Sequence, residues 1–451
     1  MNICVVGTGY VGLVTAACLA HLGHRVVGVD SEPLKVEMLC RGEPTIYEPG
    51  LTPLLQDGLR SGRLSFGQDL AAAMAEADVI FLCVGTPPRH DGSTDLSQME
   101  EAARQIGERL RRYKVVVEKS TVPVYTADRM KRTLAMYSGG AVDFDIASNP
   151  EFLREGAAVD DFLNPDRIVV GVETTRARDL LLQIYEPFRC PLLVTDVKTA
   201  ELVKHASNAF LAMKISFINM IADLCEATGT DVQQVADGMG YDRRIGRAFL
   251  NAGVGYGGSC FPKDLSAFIH IAEEHGADFS LLREVRRINE TRVDRLVRKL
   301  HQALWVLKGK RLGVLGLSFK PNTDDIREAP SLTVIPRLRQ EGAVVRLYDP
   351  HAAVQMASVI PPEPGKVEYA RSPYEAAEDA HALVILTEWE EFRALDLEKV
   401  RGLLQTPIIV DGRNLFDPAA MAEAGFEYFS IGRPDALRPR QPQAARPRGA
   451  P

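Results

Sequence analysis

NICVVGTGYVGLVTAACLAHLG, from Asn2 to Gly23, decides the fold. A β-branched apolar run, a glycine turn and an apolar helical pattern follow one another, the order of strand, turn and helix in a dinucleotide-binding βαβ unit. Gly7, Gly9 and Gly12 stand where a tight turn and close approach to a pyrophosphate leave no room for a side chain, with the helix N-terminus facing the anion. Asp30 ends the next strand, HRVVGVD. Its carboxylate is placed to accept a ribose diol and to repel a 2′-phosphate, so NAD is expected rather than NADP. Lys35 reads either as a ribose contact or as an exposed helix lysine.

Outward from this unit the alternation continues through DVIFLCVGTP, KVVVEKSTVP and RIVVGV, which predicts a parallel sheet. From about Thr199 to Thr228 a long apolar helix is predicted, stopped by Gly229; its apolar circumference calls for a partner subunit to cover it. Helical patterns run on to about Leu307. After Gly309 the strand–helix rhythm returns in KRLGVLGLSF, VVRLYDP, HALVILTEW and TPIIVDGR, an echo of the first half in which GVD and YDP both close a second strand with an acid. The fold class is therefore α/β: two Rossmann-like doubly wound domains joined by a central helical region with one long helix. The expected division is 1–196 for NAD, 197–307 for dimerisation, 308–434 for a second nucleotide-binding lobe, and a Pro/Arg-rich disordered tail at 435–451.

A chain of 451 residues with 46% hydrophobic content holds more than one core. Net charge is −7 with both signs interspersed, so no basic stripe offers itself to nucleic acid. No run of about 18 apolar residues is evident and the opening residues lead straight into a strand, so a soluble cytoplasmic protein with no membrane partner is expected. Seven scattered cysteines with no CxxC pair support neither disulfides nor a metal site.

The chemistry concentrates in GVGYGGSCFPKD, Gly253 to Asp264. Four glycines leave backbone open to a ligand, and Pro262 predicts a helix starting just after Cys260. The helix N-terminus and Lys263 are both expected to stabilise a Cys260 thiolate, able to trap an aldehyde and pass through a thioester to an acid. Asp264 either holds a water or pairs with Lys204. Lys204 and Asn208, four apart on the long helix, serve either a substrate hydroxyl and its oxyanion or structure alone. Glu151 and Glu155 in NPEFLREG read as a base for thioester hydrolysis or as an exposed acidic pair. Lys320, Arg327 and Arg413 stand at strand-to-loop transitions and suit a diphosphate, solvated surface charge being the alternative.

With these residues assembled, the chain resembles the UDP-glucose/GDP-mannose dehydrogenase family. The resemblance runs to about Gly432 and rests on GTGYVG, VGTPPRHDGSTDLS, KSTVPV, SNPEFLREGAAVDDFLNPDRIVVG, KHASNAFLAMKISFIN, GVGYGGSCFPKD, GLSFKPNTDDIREAPS and DGRN, in the family's order and spacing. It implies a four-electron oxidation in which UDP-glucose, two NAD and water give UDP-glucuronate and two NADH. The same chemistry on GDP-mannose or a UDP-N-acetylhexosamine is the alternative. By the resemblance Cys260 is the nucleophile, Lys204, Asn208 and Asp264 serve the first oxidation and stabilise oxyanions, and Thr121 and Glu151 position and activate the water. It assigns NAD to Gly7, Gly9, Tyr10, Val11, Gly12, Asp30, Lys35, Thr86, Thr121, Glu155, Lys263 and Arg327. It assigns the nucleotide sugar to Phe152, Leu153, Arg154, Lys204, Asn208, Phe249, Asn251, Gly257, Lys320 and Arg413. Arg244 looks like the arginine lent to a neighbouring subunit's site, which implies at least a homodimer. A binding scaffold without catalysis would not need Cys260, Lys204, Asn208 and Asp264 intact, and a two-electron dehydrogenase would not need Cys260.

Overall fold

A computed structural model of the chain describes residues 1–140 and 142–436. The tail expected to be disordered lies, from residue 437 on, outside the described residues. By packing, the chain forms two compact units. The first takes residues 1–213, 259–286 and 322–324, and the second takes 214–258, 287–321 and 325–436. The central stretch expected as a separate region at 197–307 is thus shared between the two.

The first unit holds an eight-stranded sheet of β1 (Asn2–Val6), β2 (Arg25–Val29), β3 (Leu64–Gly67), β4 (Val79–Leu82), β5 (Lys114–Glu118), β6 (Phe144–Ser148), β7 (Ile168–Val172) and β8 (Leu192–Thr195). Its spatial order is β3-β2-β1-β4-β5-β6-β7-β8, parallel except where β7 runs against β6. The central strands are covered on both faces, so β1, β4 and β5 are apolar along their middles and their side chains divide between two layers. Ile3, Val5, Phe81 and Val115 pack with Leu13, Val14 and Ala17 of the helix Tyr10–His21. Cys4, Val6, Ile80 and Val116 pack with Met99, Ile106 and Leu134 on the other side.

The second unit holds a parallel six-stranded sheet of β9 (Arg311–Leu315), β10 (Val344–Tyr348), β11 (Val367–Tyr369), β12 (Ala382–Ile385), β13 (Ile408–Asp411) and β14 (Glu427–Ser430), in the order β11-β10-β9-β12-β13-β14. This repeats the three-two-one-four-five-six order of the first six strands, so the echo in the sequence is a shared topology. The shared turn chemistry is equally close. Gly7 and Gly316 follow the first strand of each sheet at φ 87° and 94°. Asp30 Oδ2 accepts the Thr8 N–H at 2.9 Å, and Asp349 Oδ2 accepts the Leu317 and Ser318 N–H groups at 2.7 and 3.0 Å. In both lobes an acid at the end of the second strand ties down the first strand-to-helix turn.

The long helix runs Val197–Thr228, about 48 Å at 1.5 Å per residue. Asp196 Oδ1 accepts the Thr199 N–H at its start, and Gly229 at φ 73° ends it as the sequence predicts. By length and hydropathy alone it could cross a membrane. Yet one face of it buries Glu201, Lys204, His205 and Asn208 among protein partners, polar groups that the fold and not a lipid phase satisfies.

Candidate active site

Lys204 and Asn208 lie one turn apart on the long helix, and both are buried. Cys260 caps the helix Phe261–Glu274, with Pro262 in the first turn, and Asp264 follows one turn on, its N–H donating to the Cys260 carbonyl at 2.8 Å. The two helices meet at these residues: Asn208 Nδ2 donates to Asp264 Oδ2 at 2.6 Å, and Lys263 Nζ lies 2.6 Å from Asp264 Oδ1. Glu151, in the segment after β6, completes the group. Its Oε1 is 2.7 Å from Lys204 Nζ and its Oε2 accepts the Leu153 N–H at 2.6 Å. Asp264 therefore pairs with Lys263 and Asn208, while Lys204 pairs with Glu151 and couples to Asp264 through the field.

Around the thiol the carboxylates of Glu151, Asp264 and Glu155 outnumber the two lysines, and burial acts in the same direction as the anions. Burial works to lower the Lys204 pKa, but Glu151, Asp264 and Cys260 together hold it above the ordinary lysine value. Asp264, which burial would raise, is held below the usual carboxylate range by Lys263, Lys204 and His205. The Cys260 thiol is pushed up to about 11 by burial, then by Glu151 and Asp264, against the pull of Lys204. This corrects the expectation of a resting thiolate: Lys263, cast as its stabiliser, is taken up by Asp264, and the Cys260 sulfur rests as a thiol. A deprotonated sulfur is then formed only when a proton acceptor and an electrophile are at hand. Such a site offers a nucleophile, a fixed ammonium beside developing negative charge, and carboxylates able to carry protons.

Other assigned residues also lie in the first unit. Thr86 Oγ1 donates to the Thr121 carbonyl at 2.9 Å. Ser259 Oγ lies 3.6 Å from the Cys260 sulfur and 3.3 Å from Glu155 Oε1. Phe152 is 5.5 Å from Lys204 Nζ, and Arg154 is paired with Asp161 at 2.6 Å. The sequence reading missed Arg167, whose guanidinium stacks 3.6 Å over the Phe152 ring. It also missed Lys119, which is fully buried, pushed down to about 8 by burial, and hydrogen-bonded to Asn149 Oδ1 at 2.9 Å. The available signal for both was a cation at the edge of an apolar strand.

The turn after β1 fits a dinucleotide. A Cβ at Gly12 would stand 1.8 Å from the Gly7 carbonyl and one at Gly7 2.9 Å from the Cys83 carbonyl, whereas Gly9 faces open space. Val11 follows in the first turn of the helix. Asp30 is held ionised: burial would raise its pKa, but the Thr8 N–H and hydroxyl, the Glu32 N–H and Lys35 lower it. Lys35 Nζ sits 3.1 Å from that carboxylate. Tyr10 turns its hydroxyl to Glu48 and accepts the Gly156 N–H at 2.8 Å.

The second unit carries the remaining residues. Arg413 donates to the carbonyls of Gly255 and Leu386, both at 2.8 Å, so it braces the glycine loop. Gly257 is obligatory, since a Cβ there would lie 2.2 Å from the Glu328 carbonyl. Arg327 forks onto Asp325 at 2.7 Å, Asn251 Oδ1 accepts from Arg247 at 2.7 Å, and Lys320 Nζ lies 5.3 Å from the Phe319 ring centre. Phe249 adopts a left-handed φ of 65°, and Arg244 extends into solvent beside Asp242. Among the described residues no His, Cys, Asp and Glu cluster could hold a metal ion.

Comparison with known proteins places this arrangement. Residues 1–189 match the NAD binding domain of the UDP-glucose/GDP-mannose dehydrogenase family, 198–291 its central domain and 313–418 its UDP binding domain. A UDP-glucose 6-dehydrogenase of Rhizobium meliloti (strain 1021) is 48% identical over 442 residues, covering 96% of this chain and 100% of that protein. The UDP-glucose 6-dehydrogenase TuaD of Bacillus subtilis (strain 168) is 46% identical over 441 residues, 98% and 95% of the two chains. The solved structure of a UDP-glucose dehydrogenase from the archaeon Pyrobaculum islandicum superposes with a TM-score of 0.88 at 43% identity, covering 96% of this chain and 97% of that one. With all three domains matched in order and relatives similar over nearly their whole length, the chain belongs to the UDP-glucose/GDP-mannose dehydrogenase family.

Proposed function

We propose that this chain oxidises UDP-glucose to UDP-glucuronate with two NAD. The observation that carries the reading is the half-buried Cys260 beside the buried Lys204, Glu151, Asn208 and Asp264, in a chain whose relatives bear the name UDP-glucose 6-dehydrogenase. NAD, when bound, accepts one hydride in each of the two oxidations. In the first, the Lys204 ammonium, with Asn208 and Asp264 fixing its surroundings, stabilises the alkoxide formed as the 6-hydroxyl loses its proton. In the second, the Cys260 sulfur bonds to the aldehyde carbon, its proton passing to a neighbouring carboxylate and the carbonyl electron pair to an oxygen facing Lys204. Loss of hydride from that carbon leaves a thioester. Water held by Thr121 and Glu151 adds to it, the C–S bond breaks, and the sulfur regains a proton. The sum is one alcohol, two NAD and one water giving one carboxylate, two NADH and three protons.

The same reading assigns residues 1–196 to NAD and 308–434 to the UDP moiety, with 197–307 serving dimerisation. Gly7, Gly9, Tyr10, Val11, Gly12, Asp30, Lys35, Thr86, Thr121, Glu155, Lys263 and Arg327 are the proposed NAD residues. Phe152, Leu153, Arg154, Phe249, Asn251, Gly257, Lys320 and Arg413 are proposed for the nucleotide sugar, and Arg244 for a neighbouring subunit. A homodimer is supported by the exposed side chains of Leu202, Phe210, Phe217, Met220 and Leu224, which repeat at close to heptad spacing along the long helix. All seven cysteines are free thiols, which fits a cytoplasmic enzyme in a reducing compartment. The test is NADH yield at completion with limiting UDP-glucose, with GDP-mannose and UDP-N-acetylglucosamine in parallel. Two NADH per UDP-glucose supports the reading. One refutes the thioester route, and two with another sugar nucleotide alone refutes the substrate. Cys260→Ser is expected to abolish turnover to the acid.

A further inference from the structure

Glu201, Lys204, His205 and Asn208 occupy i, i+3, i+4 and i+7 of the long helix and so share one face. Lys204 and Asn208 serve the Cys260 group, while the other two hold the turn that carries Thr121. His205 Nε2 lies 2.9 Å from the Val122 carbonyl. The two oxygens of Glu201 each accept one backbone N–H at 2.9 Å, Oε2 from Tyr125 and Oε1 from Ala127. These are donors at the start of the helix Thr126–Ser138, where no intrahelical acceptor exists. Tyr125 sits at φ 74°, a left-handed conformation that an aromatic residue adopts only when its surroundings impose it.

Glu201 also faces Glu118, the fully buried last residue of β5, three positions before Thr121. Two buried carboxyls in contact cannot both ionise. Neither Glu118 oxygen is reached by a backbone N–H, whereas Glu201 accepts two, so a proton shared by the pair belongs on Glu118, with Glu201 as the carboxylate facing it. Burial, then the Glu201 charge, hold Glu118 well above the usual carboxylate range, with the Ser148 hydroxyl opposing. Burial raises Glu201 too, against the two N–H groups and the Glu118 hydrogen bond; Asp128 adds to the rise and is itself paired with Lys198 at 3.3 Å.

We propose that Glu118 and Glu201 are positioning residues, a carboxyl–carboxylate pair sharing one proton that fixes the Thr121 turn against the helix carrying Lys204 and Asn208. The catalytic consequence rests on the function proposed above, in which Thr121 serves hydrolysis; the clamp itself does not. The sign of the pH effect follows from the raised pKa. Stability contributed by protonated Glu118 is complete below the ordinary carboxylate range and is lost as pH rises through its folded value, when two anions share one buried space. The amide introduced by Glu118→Gln cannot ionise and can still donate to Glu201.

The test compares wild type, Glu118→Gln and Glu201→Gln by hydrogen exchange at the Tyr125 and Ala127 amides and by steady-state kinetics across pH. Glu201→Gln turns an NH2 toward one of the two amides. Its exchange protection is expected to fall at least ~10-fold and kcat ~10- to 100-fold, as for a turn displaced by about 1 Å, with KM for UDP-glucose little changed. Glu118→Gln is expected to match wild type at neutral pH and to keep both protection and kcat at alkaline pH where wild type loses them. Wild-type protection in Glu201→Gln, or the same alkaline response in wild type and Glu118→Gln, would overturn the clamp. Lost protection with wild-type kcat would overturn its positioning role. Should Glu201→Gln not fold, the alkaline comparison of wild type with Glu118→Gln still decides. Failure of wild type to yield two NADH would instead count against the function, leaving the exchange result to judge the clamp.

Discussion

Alkylation of Cys260 in the ligand-free protein is expected to rise tenfold per pH unit from pH 7 to about pH 10, without a plateau. The reason is the thiol's displacement to about 11 by burial, Glu151 and Asp264. Three units below that value, at pH 8, the thiolate fraction is ~10⁻³, whereas an ordinary thiol near 8.5 would be ~0.2 ionised, a deficit of ~200-fold. Limited access slows the reaction further but shifts the whole curve without changing its slope. Two substitutions separate electrostatics from access. Glu151→Gln removes the anion that, after burial, raises the thiol most, and should speed alkylation at fixed pH; Lys204→Met removes the cation that opposes it, and should slow it. The assay is iodoacetamide labelling quantified on the Cys260 peptide by mass spectrometry, with exposed Cys40 as an internal check on the reagent. A rate that levels off below pH 9, or variants that move the rate in the same direction, would refute a resting thiol governed by this charge group.

Lys204→Met should also lower unfolding free energy by about 3–5 kcal/mol, because Glu151 is left buried without its cation; urea unfolding that shows less than about 1 kcal/mol would mean the pair is solvated. Asp30→Ala should raise the NADP-to-NAD ratio of kcat/KM, since it removes the charge that repels a 2′-phosphate, and an unchanged ratio would remove Asp30 from cofactor selection. Leu224→Glu, on the exposed apolar stripe of the long helix, should shift the protein to a smaller mass in analytical ultracentrifugation, and an unchanged sedimentation profile would discard that stripe as the self-association surface.

The sequence was enough where function depends on local order. The Gly7–Gly12 turn, the acid at Asp30, the helix start after Cys260 and the stop at Gly229 are each set by neighbouring residues, and the structure shows each in its predicted place. Strands β3, β6, β8, β11 and β14 went unread, since runs of three to five residues with polar members leave too little periodicity against their neighbours. The repeat of strand order in the two sheets was hinted at by GVD and YDP, but only hydrogen bonds across the fold show Asp30 and Asp349 doing the same work.

Spacing put Lys204 with Asn208, and Cys260 near Asp264, because a helical turn is a local rule. It could not choose Lys204's partner, which the fold supplies as Glu151 from 53 residues away. Nor could it give the thiol's ionisation, for which the local signals of helix N-terminus and Lys263 pointed to a thiolate. Desolvation and the charges of Glu151 and Asp264 reverse that, and burial is a property of packed neighbours, which no residue carries alone. Glu118 and Glu201 show the same limit: their shared proton exists only because tertiary packing brings two carboxyls, far apart in the chain, into one dry space.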